Sequence, residues 1–394
     1  MKILQMVPYF YPAWAYGGPA KLVYDTSKYF AESGHEVTVY TSDSYDEKKR
    51  MPKEKYVTDV KGLNVRYFRN INNNLAYVYN IFFTPGIFIQ SLKEFNKFDV
   101  IHLHDFYTPQ NVWISFLSEI YKKPYILSVH GCLEKQRLEQ RSLFKQIFLK
   151  LFGKMLLNNA SFLVATSLNE IVAYQEYGIP KEKIVFFGHG VNPEEFQTEV
   201  SKLVARKNFG LNRNDCVVTF LGRIHRIKGL DNLVKAIRRI KNPKIHFVIA
   251  GSNDGYLPQL KKDIQKYKLQ KKITLWGTCF GEEKSQLFKA SDIFVYPSYS
   301  EGFSLGILEA AASGLPLVIT SGCHFDEVGK QKAGIVVDPD DEQIANAIEK
   351  IAEDYKLRIQ FGKNAERLIF NDFSMKVIGD RIITIYQKAV KMSR

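Results

Sequence analysis

Short apolar segments alternate with longer segments of helical periodicity along nearly the whole 394-residue chain. The apolar segments are rich in valine, isoleucine and phenylalanine, which is typical of strands that are buried on both faces. Two parallel strands need a long crossover connection, and a helix usually supplies it. The alternation therefore predicts an α/β fold in which helices cover both faces of parallel sheets.

The strand candidates fall into two sets. Those of the first half are KILQMV, EVTVYT, LNVRYF, DVIHLH, YILSV, FLVAT and IVFF, and those of the second half are CVVTFLG, IHFVIAG, ITLW, DIFVYP, PLVIT and GIVV. The polar stretch GHGVNPEEFQTEVSK follows Phe187 and separates the two sets. The chain also exceeds the length at which single hydrophobic cores stop growing, so two domains are expected.

We predict two Rossmann-like, doubly wound parallel-sheet domains that face each other across a cleft, with ligand loops at the carboxyl ends of the strands. Residues 1–190 are assigned to the first domain and residues 191–372 to the second. The last segment, 373–394, has helical periodicity and is expected to pack back on the first domain.

The net charge of +14 at pH 7 predicts an anionic partner. Residues 201–300 alone hold 20 lysines and arginines against 7 acidic residues. Nucleic acid, an anionic membrane surface and a phosphorylated small molecule would each explain this excess. The aromatic-glycine signature of a single-strand RNA binder is missing, as is any zinc finger or basic zipper, so nucleic acid is the least favoured of the three.

Location and redox state follow from what the sequence lacks. It contains no run of 18 uninterrupted apolar residues, so no membrane span is predicted. The start, MKILQMVPYF, is read as a first strand and not as a secretory signal, which predicts a cytoplasmic protein. The cysteines are far apart and predict neither a disulfide framework nor a zinc site; they are Cys132, Cys216, Cys279 and Cys323.

Two carboxylates flank the segment EGFSLGILE. A single helix would not bring Glu301 and Glu309 to one small ligand, because eight steps of about 100° overshoot two turns by about 80°. Glu301 is instead predicted in a strand-to-helix loop, and Ser304 is predicted to N-cap a helix that contains Glu309. The first N–H groups of that helix, near Phe303 to Leu305, would favour an anion. Solvated surface glutamates are the alternative interpretation.

A pair of cations follows the strand CVVTFLG, in the loop GRIHRIKG. The Arg223 guanidinium can grip phosphate oxygens with two hydrogen bonds, and Lys228 adds a mobile point charge. The two together suit a diphosphate at the carboxyl end of a strand. Ordinary surface cations of a basic domain are the alternative, and Arg226 is interpreted as solvated surface.

Near the N-terminus, Gly17 and Gly18 lie between the first strand and the first helix, where glycines let a backbone approach a ligand. Pro19 suits the first turn of that helix. The loop is not G-x-G-x-x-G, so no nicotinamide cofactor is implied. A purely structural tight turn remains the alternative.

Two histidines follow strands of the first domain, His104 in DVIHLHDF and His130 in YILSVHGC. A capping role is favoured for His104. His130 precedes a glycine at a predicted strand end that opens on the cleft, so a functional role is favoured there. No further histidine or cysteine lies at ligand spacing, and no metal site is predicted.

Taken in order, these motifs resemble those of the family 4 glycosyltransferases, which are retaining, nucleotide-sugar-dependent enzymes of the GT-B fold. The matching order is a Gly-Gly loop, V-H-G, G-R-x-x-x-x-K-G, and two glutamates separated by seven residues and followed by A-x-x-x-G. The chain departs from the family at His189, where asparagine is common, and at Ser304, where glycine is frequent. Neither departure changes a proposed charge.

The resemblance implies a role for each residue. Glu309 is expected to bind the nucleotide ribose, Glu301 the hydroxyls of the donor sugar, and Arg223 with Lys228 the diphosphate. The Gly17–Gly18 loop is expected to lie against the phosphates, and His130 beside the reacting sugar. The first domain would take the acceptor and the second the nucleotide sugar. The donor is a substrate, so no cofactor and no metal are implied.

The acceptor is predicted to be a lipid-linked glycan or a polysaccharide. Residues 75–92 are aromatic and apolar, and residues 142–157 would place an apolar row on one helix face, with Lys145, Lys150 and Lys154 elsewhere; that row is Phe144, Ile147, Phe148, Leu151 and Met155. Such segments suit peripheral contact with an anionic membrane, on the inner face of the cell membrane. A helix that simply covers its own sheet is the alternative.

Two other functions remain open at the level of sequence. A sugar-nucleotide epimerase or a phosphorylase of the same architecture would use a similar donor site, although no pyridoxal lysine is evident for a phosphorylase. A basic nucleic-acid-binding protein would explain the charge, and its affinity would fall steeply with salt.

Overall fold

A computed structural model describes residues 1–16, 18–46, 49–79, 81–133 and 143–393. The chain divides into two compact units. Unit 1 comprises Met1–Gly190 together with Met375–Arg394, and unit 2 comprises Val191–Ser374.

Unit 1 is built on an eight-stranded sheet. Its strands are β1 (Lys2–Met6), β2 (Glu36–Ser42), β3 (Val57–Val60), β4 (Leu63–Phe68), β5 (Val100–His104), β6 (Tyr125–Ser128), β7 (Phe162–Ala165) and β8 (Ile184–Phe186). Their order is β3-β4-β2-β1-β5-β6-β7-β8. The order reverses at β1, because β1 pairs in parallel with β2 on one side and with β5 on the other. Loops after β1 and β5 therefore lie at a topological switch point.

Helices cover both faces of this sheet. The helices of unit 1 are α1 (Gly18–Glu32), α2 (Asn73–Tyr79), α3 (Pro85–Glu94), α4 (Pro109–Ile120), α5 (Leu143–Phe148), α6 (Lys154–Asn159), α7 (Leu168–Glu176) and, at the C-terminus, α16 (Met375–Met392). A π-helical segment, Leu149–Gly153, joins α5 to α6. One buried cluster contains residues of α3, α4, α6 and α7, and a second contains residues of α1 and α16. These two clusters are the cores on opposite faces of the sheet.

Unit 2 is built on a six-stranded, wholly parallel sheet. Its strands are β9 (Cys216–Leu221), β10 (Ile245–Ala250), β11 (Ile273–Gly277), β12 (Ile293–Tyr296), β13 (Leu317–Thr320) and β14 (Gly334–Val337). Their order is β11-β10-β9-β12-β13-β14, so the switch point lies between β9 and β12. The loops that follow these two strands, together with the helix after β12, hold most of the predicted site residues.

The helices of unit 2 are α8 (Lys202–Asn208), α9 (Leu230–Arg239), α10 (Leu257–Lys266), α11 (Gly281–Ala290), α12 (Leu305–Ala312), α13 (Glu327–Lys330), α14 (Asp341–Glu353) and α15 (Tyr355–Leu368). A π-helical segment, Ile369–Phe373, follows α15. Asp340 N-caps α14 and Asp354 N-caps α15, since each side chain accepts hydrogen bonds from backbone N–H groups of the first turn. All these helices surround one continuous buried core.

The predicted α/β class with parallel sheets is confirmed, and each predicted strand segment contains a strand. β3 is not among the predicted strands; it pairs antiparallel with β4 at the edge of the unit 1 sheet. Its residues alternate between exposed and half-buried. This four-residue edge strand, VTDV, has no fully buried side chain and therefore gives a weak strand signal.

Candidate active site

The loop between β9 and α9 is shaped by a glycine. Residues Arg226–Lys228 form a single 3₁₀ turn that ends at Gly229, whose φ is +65°. A Cβ atom on Gly229 would lie 1.9 Å from the carbonyl oxygen of Pro297, in the loop after β12. Only glycine allows both the left-handed conformation and this close approach. The two loops at the switch point of unit 2 are therefore held against each other.

This packing buries an ion pair between the two loops. The Lys228 Nζ lies 2.5 Å from the Glu301 Oε1, and each side chain is 9% exposed. The Ser298 hydroxyl also donates to Glu301 Oε1, at 2.6 Å. Burial lowers the pKa of Lys228, but the attraction of Tyr296 and Glu301 outweighs it and leaves that pKa above its ordinary value. Lys228 is thus a buried, charged group, and the alternative interpretation of it as an ordinary surface cation is wrong.

The second predicted cation, Arg223, is exposed and lies 2.5 Å from a carboxylate oxygen of Asp254. The loops after β9 and β10 bring this pair together, because the Ile224 N–H donates to the Ser252 carbonyl at 2.8 Å. Asp254 was not among the predicted site residues. An exposed arginine in such a pair can exchange its carboxylate for a phosphate at little cost.

Glu309 is the fifth residue of α12 and is buried at 8% exposure. Its carboxylate pairs with the Lys284 Nζ of α11 at 2.7 Å. The same ammonium lies 5.3 Å from the centre of the Phe196 ring. Lys284 was missed because its segment, GEEKSQLFKA, reads as an ordinary charged helix. Nothing in the sequence distinguishes this lysine from its exposed neighbours.

The start of α12 offers backbone groups and not side chains. Ser304 occupies the N-cap position, but its side chain makes no capping hydrogen bond, so that part of the prediction is wrong. The Phe303 ring packs against Phe325 and Phe373, with ring centres 5.4 and 5.7 Å away. Leu305 is the first helical residue. The first N–H groups of a helix have no acceptor within it, so an anion at this end would be bound by backbone.

In unit 1, the predicted glycine loop precedes α1. Gly18 is the first residue of the helix and is exposed, and Pro19 lies in the first turn as predicted. Gly17 lies outside the described residues.

His130 and His104 follow or end adjacent strands, and their side chains meet. His130 has a φ of +49°, a left-handed conformation that is costly for a residue with a Cβ atom. Its Nε2 lies 3.0 Å from the His104 Nδ1, and the His104 Nε2 lies 2.7 Å from the Gln5 Oε1. His104 is therefore not a capping residue. It is a buried partner of His130, and burial holds its pKa well below the ordinary value.

A cavity of ≈ 30 Å³ adjoins these residues in unit 1. Its lining includes Gln5, His102, His104, Ser128 and His130. A water molecule needs roughly 10–15 Å³ of such volume, so the cavity suits one or two waters and not a sugar.

Among the described residues, no group of three or more histidine, cysteine or acidic side chains stands in a position to hold a metal ion. Among the described helices, none combines the length and the hydropathy that a membrane-spanning helix requires.

Two parallel-sheet α/β units with charged loops at the switch point are the architecture of the GT-B glycosyltransferases. Residues 16–195 match the family model "Glycosyltransferase Family 4", and residues 201–368 match the model "Glycosyl transferases group 1". The chain belongs to the family 4 glycosyltransferases.

Curated relatives are similar over most of their length. An uncharacterised glycosyltransferase of Methanocaldococcus jannaschii is 27% identical, with 100% of this chain and 99% of the relative covered. A D-inositol 3-phosphate glycosyltransferase of Stackebrandtia nassauensis is 26% identical over 89% of this chain and 82% of its own. A UDP-Gal:α-D-GlcNAc-diphosphoundecaprenol α-1,3-galactosyltransferase of Escherichia coli is 26% identical over 76% of this chain and 78% of its own.

Among solved structures, the fold is similar to that of HepE from Anabaena, crystallised with UDP and glucose. The TM-score is 0.75 at 20% identity, with 98% of this chain and 100% of the other covered. This similarity confirms the predicted fold class.

Proposed function

We propose that this glycosyltransferase transfers a hexose-type sugar from a UDP- or GDP-sugar to a lipid-linked or polysaccharide glycan, with retention of configuration and without a metal ion. The observation that carries the proposal is the set of charges at the switch point of unit 2. There Arg223, Lys228, Glu301 and Glu309 lie on the loops after β9 and β12 and on the helix that follows β12. Ligands of open α/β sheets bind at such points.

In this proposal the donor binds to charged side chains that are already ion-paired in the structure, and it replaces some of their partners. Arg223 leaves Asp254 and grips the diphosphate, while Lys228 remains beside Glu301 and supplies a fixed positive charge. Glu309 accepts hydrogen bonds from the ribose, and Glu301 from hydroxyls of the sugar. The start of α12, at Phe303, Ser304 and Leu305, contributes backbone N–H groups to the phosphates. His130 lies beside the reacting sugar.

The chemistry follows from where charge develops. The bond between the sugar C1 and the diphosphate oxygen breaks, so positive charge grows on the sugar and negative charge on the diphosphate. Lys228, Arg223 and helix N–H groups stabilise that negative charge. The acceptor hydroxyl forms the new bond to C1 on the same face, and its proton passes to the departing phosphate oxygen. The cations give the charge stabilisation that a metal ion gives elsewhere.

The environment of Glu301 supports this front-face route over a covalent one. Its carboxylate already bonds to the Lys228 ammonium and the Ser298 hydroxyl. A carboxylate stabilised by a buried cation and a hydroxyl is a weaker nucleophile than a free one. We therefore assign Glu301 to hydrogen bonding with the donor and not to attack on C1.

Thermal-shift screening with UDP, GDP, ADP and their sugars tests the donor site. A ligand that binds only the folded state raises the melting temperature. We expect a shift with UDP or GDP, and its loss in Arg223→Ala and Glu309→Ala. Arg226→Ala is the matched control, because Arg226 is an exposed cation of the same loop. Wild-type shifts in both site variants, or an equal loss in Arg226→Ala, would contradict the proposed site.

The metal-independent route has its own test. Transfer should continue in the presence of EDTA at a concentration that removes free divalent cations. A loss of transfer that Mg²⁺ or Mn²⁺ restores would contradict it.

An exposed apolar surface on unit 1 supports a lipid-linked acceptor. It lies on Phe83, just before α3, and on α3, α4, the α5–α6 segment and α7, and these helices cover one face of the sheet. Its exposed side chains are Phe83, Ile89, Leu92, Phe116, Ile120, Ile147, Leu151, Phe152, Leu168 and Val172. On the helices of the opposite face, α1 and α16, the only exposed large apolar side chain is Met392, both helices being described throughout. We call the first set the outer apolar face.

Charge favours an anionic membrane as the partner of this face. The stretch 143–159 carries Lys145, Lys150 and Lys154 and no acidic residue. Aromatic rings also form a continuous row from Phe83 through Phe88 and Trp113 to Phe116, with successive centres 5.5 to 5.9 Å apart. Apolar and aromatic side chains beside lysines are typical of surfaces that lie in a membrane interface.

Flotation with liposomes of phosphatidylglycerol and phosphatidylcholine tests this partner. We expect binding at low salt, weaker binding at high salt, and loss in Lys150→Glu/Lys154→Glu. Lys388→Glu/Lys391→Glu on α16 is the matched control and should bind like wild type. Absence of binding at low salt would reject the membrane, and concentration-dependent self-association through the outer apolar face would assign that face to a second copy of the chain.

A further inference from the structure

A chain of five hydrogen bonds runs through the interior of unit 1 and ends on His130. Its members come from β1, β5, β6 and the loop after it, and the C-terminal helix α16. The contacts are His130 Nε2 to His104 Nδ1 at 3.0 Å, His104 Nε2 to Gln5 Oε1 at 2.7 Å, Gln5 Nε2 to Tyr386 Oη at 3.1 Å, Tyr386 Oη to His102 Nδ1 at 2.6 Å, and His102 Nε2 to Ser128 Oγ at 2.8 Å. We call this set the histidine chain.

Gln5 determines the direction of the chain, because one end of its amide only donates and the other only accepts. Its Nε2 donates to the Tyr386 oxygen, so the Tyr386 hydroxyl directs its own proton to His102 Nδ1. Its Oε1 accepts, so His104 must carry a proton on Nε2. Gln5 thus sets the direction of hydrogen-bond donation in both halves of the histidine chain.

Both internal histidines are neutral. His102 and His104 are buried, at 3% and 5% exposure. Burial lowers the pKa of His102 to about 3 and holds that of His104 well below its ordinary value. A neutral imidazole donates from one nitrogen and accepts at the other. With its proton on Nε2, His104 accepts at Nδ1, and the donor to that atom is the Nε2–H of His130.

We propose that the histidine chain fixes the tautomer of His130, with the proton on Nε2 and the lone pair on Nδ1. Gln5, His104 and Tyr386 are then positioning residues for the reaction. The proposal rests on the proposed function, in which His130 lies beside the sugar. There its Nδ1 accepts a hydrogen bond from a sugar hydroxyl. The C-terminal helix α16 therefore contributes to the site through Tyr386, which bonds to Gln5 and His102.

The tautomer can be measured without any assay of transfer. Long-range ¹H–¹⁵N correlation spectra of the full chain with ¹⁵N-labelled histidine distinguish a protonated from an unprotonated ring nitrogen. At pH 8, above the ordinary histidine pKa of about 6.5, we expect His130 to be protonated on Nε2 alone. Assignment follows from loss of the signal in His130→Gln. Protonation of His130 on Nδ1 would overturn the proposal.

Tyr386→Phe tests the link to the C-terminal helix. Without the hydroxyl, the Gln5 amide is free to turn over, and both directions of the chain become accessible. The His130 ring nitrogens should then show averaged shifts, and kcat/KM should fall about fivefold, on the scale of one lost hydrogen bond. The change should lie in kcat, with the thermal shift by UDP retained.

Tyr125→Phe is the matched control. Tyr125 is also a buried tyrosine of unit 1, and its hydroxyl donates to the Leu156 carbonyl at 2.7 Å, outside the histidine chain. Tyr125→Phe should lose about as much stability as Tyr386→Phe but keep the wild-type tautomer of His130 and the wild-type kcat. An equal fall of kcat in both variants would assign the effect to stability and overturn the positioning role. Wild-type transfer by His130→Gln would instead refute the proposed function of His130 and leave the measured tautomer standing.

Discussion

At the scale of single residues, the candidate donor site is a set of charges that neutralise one another. Lys228 faces Glu301, and Lys284 faces Glu309, both in pairs that are largely removed from water. Removing one partner of such a pair leaves an uncompensated charge, which costs more than the pair itself contributes. The lysines therefore determine how the two glutamates are presented to a donor, even where they do not touch it.

Lys284→Met should weaken nucleotide binding through Glu309. We expect a loss of about 2 kcal/mol in the free energy of unfolding, because the Glu309 carboxylate keeps no cation. The Kd for UDP should rise about tenfold, and the preference for UDP over 2′-deoxy-UDP should shrink, since the oriented carboxylate reads the ribose hydroxyls. Calorimetric titration measures both ligands.

Lys289→Met is the control for that change, because Lys289 is an exposed lysine of the same helix. Lys284→Arg should restore most of the ribose preference. An unchanged preference in Lys284→Met would show that Lys284 does not orient Glu309.

Gly229→Ala should disrupt the loop that holds Lys228. The added Cβ would meet the Pro297 carbonyl oxygen at 1.9 Å, and no flexible side chain can yield there. Gly210→Ala is the matched control, since Gly210 has the same φ of +65° but open space around its Cβ position. The control should lose roughly 1–2 kcal/mol for the left-handed conformation alone. Gly229→Ala should lose clearly more free energy of unfolding, as measured by urea denaturation, and it should also lose the thermal shift by UDP. Equal losses of stability in the two variants would contradict the proposed role of Gly229.

At the scale of elements, the stretch from α5 to α6 departs from the regular helix that its sequence periodicity predicts. A regular helix would align Phe144, Ile147, Phe148, Leu151 and Met155 on one face. The π-helical segment Leu149–Gly153 changes that register. Phe148 enters the core beside Phe106 and Tyr107, whereas Ile147, Leu151 and Phe152 are exposed. The predicted membrane-facing row is therefore wrong at Phe148, and the side chain of Phe144 lies outside the described residues.

Alanine substitutions of Phe148 and Phe152, four residues apart, test which of these side chains is buried. Phe148→Ala should destabilise unit 1 by about 3–5 kcal/mol, because it empties a buried site. Phe152→Ala, at a side chain that is 37% exposed, should leave the melting temperature nearly unchanged but weaken liposome binding. Thermal unfolding and flotation of both variants give the comparison. A large loss of stability in Phe152→Ala, and little loss in Phe148→Ala, would instead support a regular helix.

At the scale of the whole molecule, buried neutral histidines predict a lower stability in acid. The pKa of His102 is about 3 in the folded chain and about 6.5 when unfolded. Below pH 6.5 the unfolded state binds more protons than the folded state, so stability falls as pH falls from 6.5 toward 3. At pH 5 this amounts to roughly 2 kcal/mol for His102 alone. His104 acts in the same direction, since its pKa is also lowered by burial.

Melting temperatures between pH 8 and pH 4.5 check this dependence. The curve should be flat above pH 7 and should decline below it. His102→Gln starts from a lower stability, but its decline should be shallower, because one titrating group is removed. The slope is therefore the readout, and an identical slope in the variant would contradict the assignment.

Much of the architecture could be read from the sequence because its signals are local. Valine- and isoleucine-rich runs between helical segments are enough to specify parallel sheets, and the loops after them carry Arg223, Lys228 and Glu301 because ligand loops follow strand ends. The edge strand β3 was not predicted, because its alternating polar residues produce no apolar run.

The partners of the site residues were decided only by the tertiary structure. Lys284 and Glu309 are 25 positions apart, His104 and His130 are 26 apart, and Tyr386 reaches His102 across 284 positions. Strand order and helix packing bring such pairs together, and neither leaves a periodic trace in the chain. The sequence alone thus determined the type of fold and the location of its charged loops, while the folded molecule determined which charges neutralise each other and which buried histidines share hydrogen bonds.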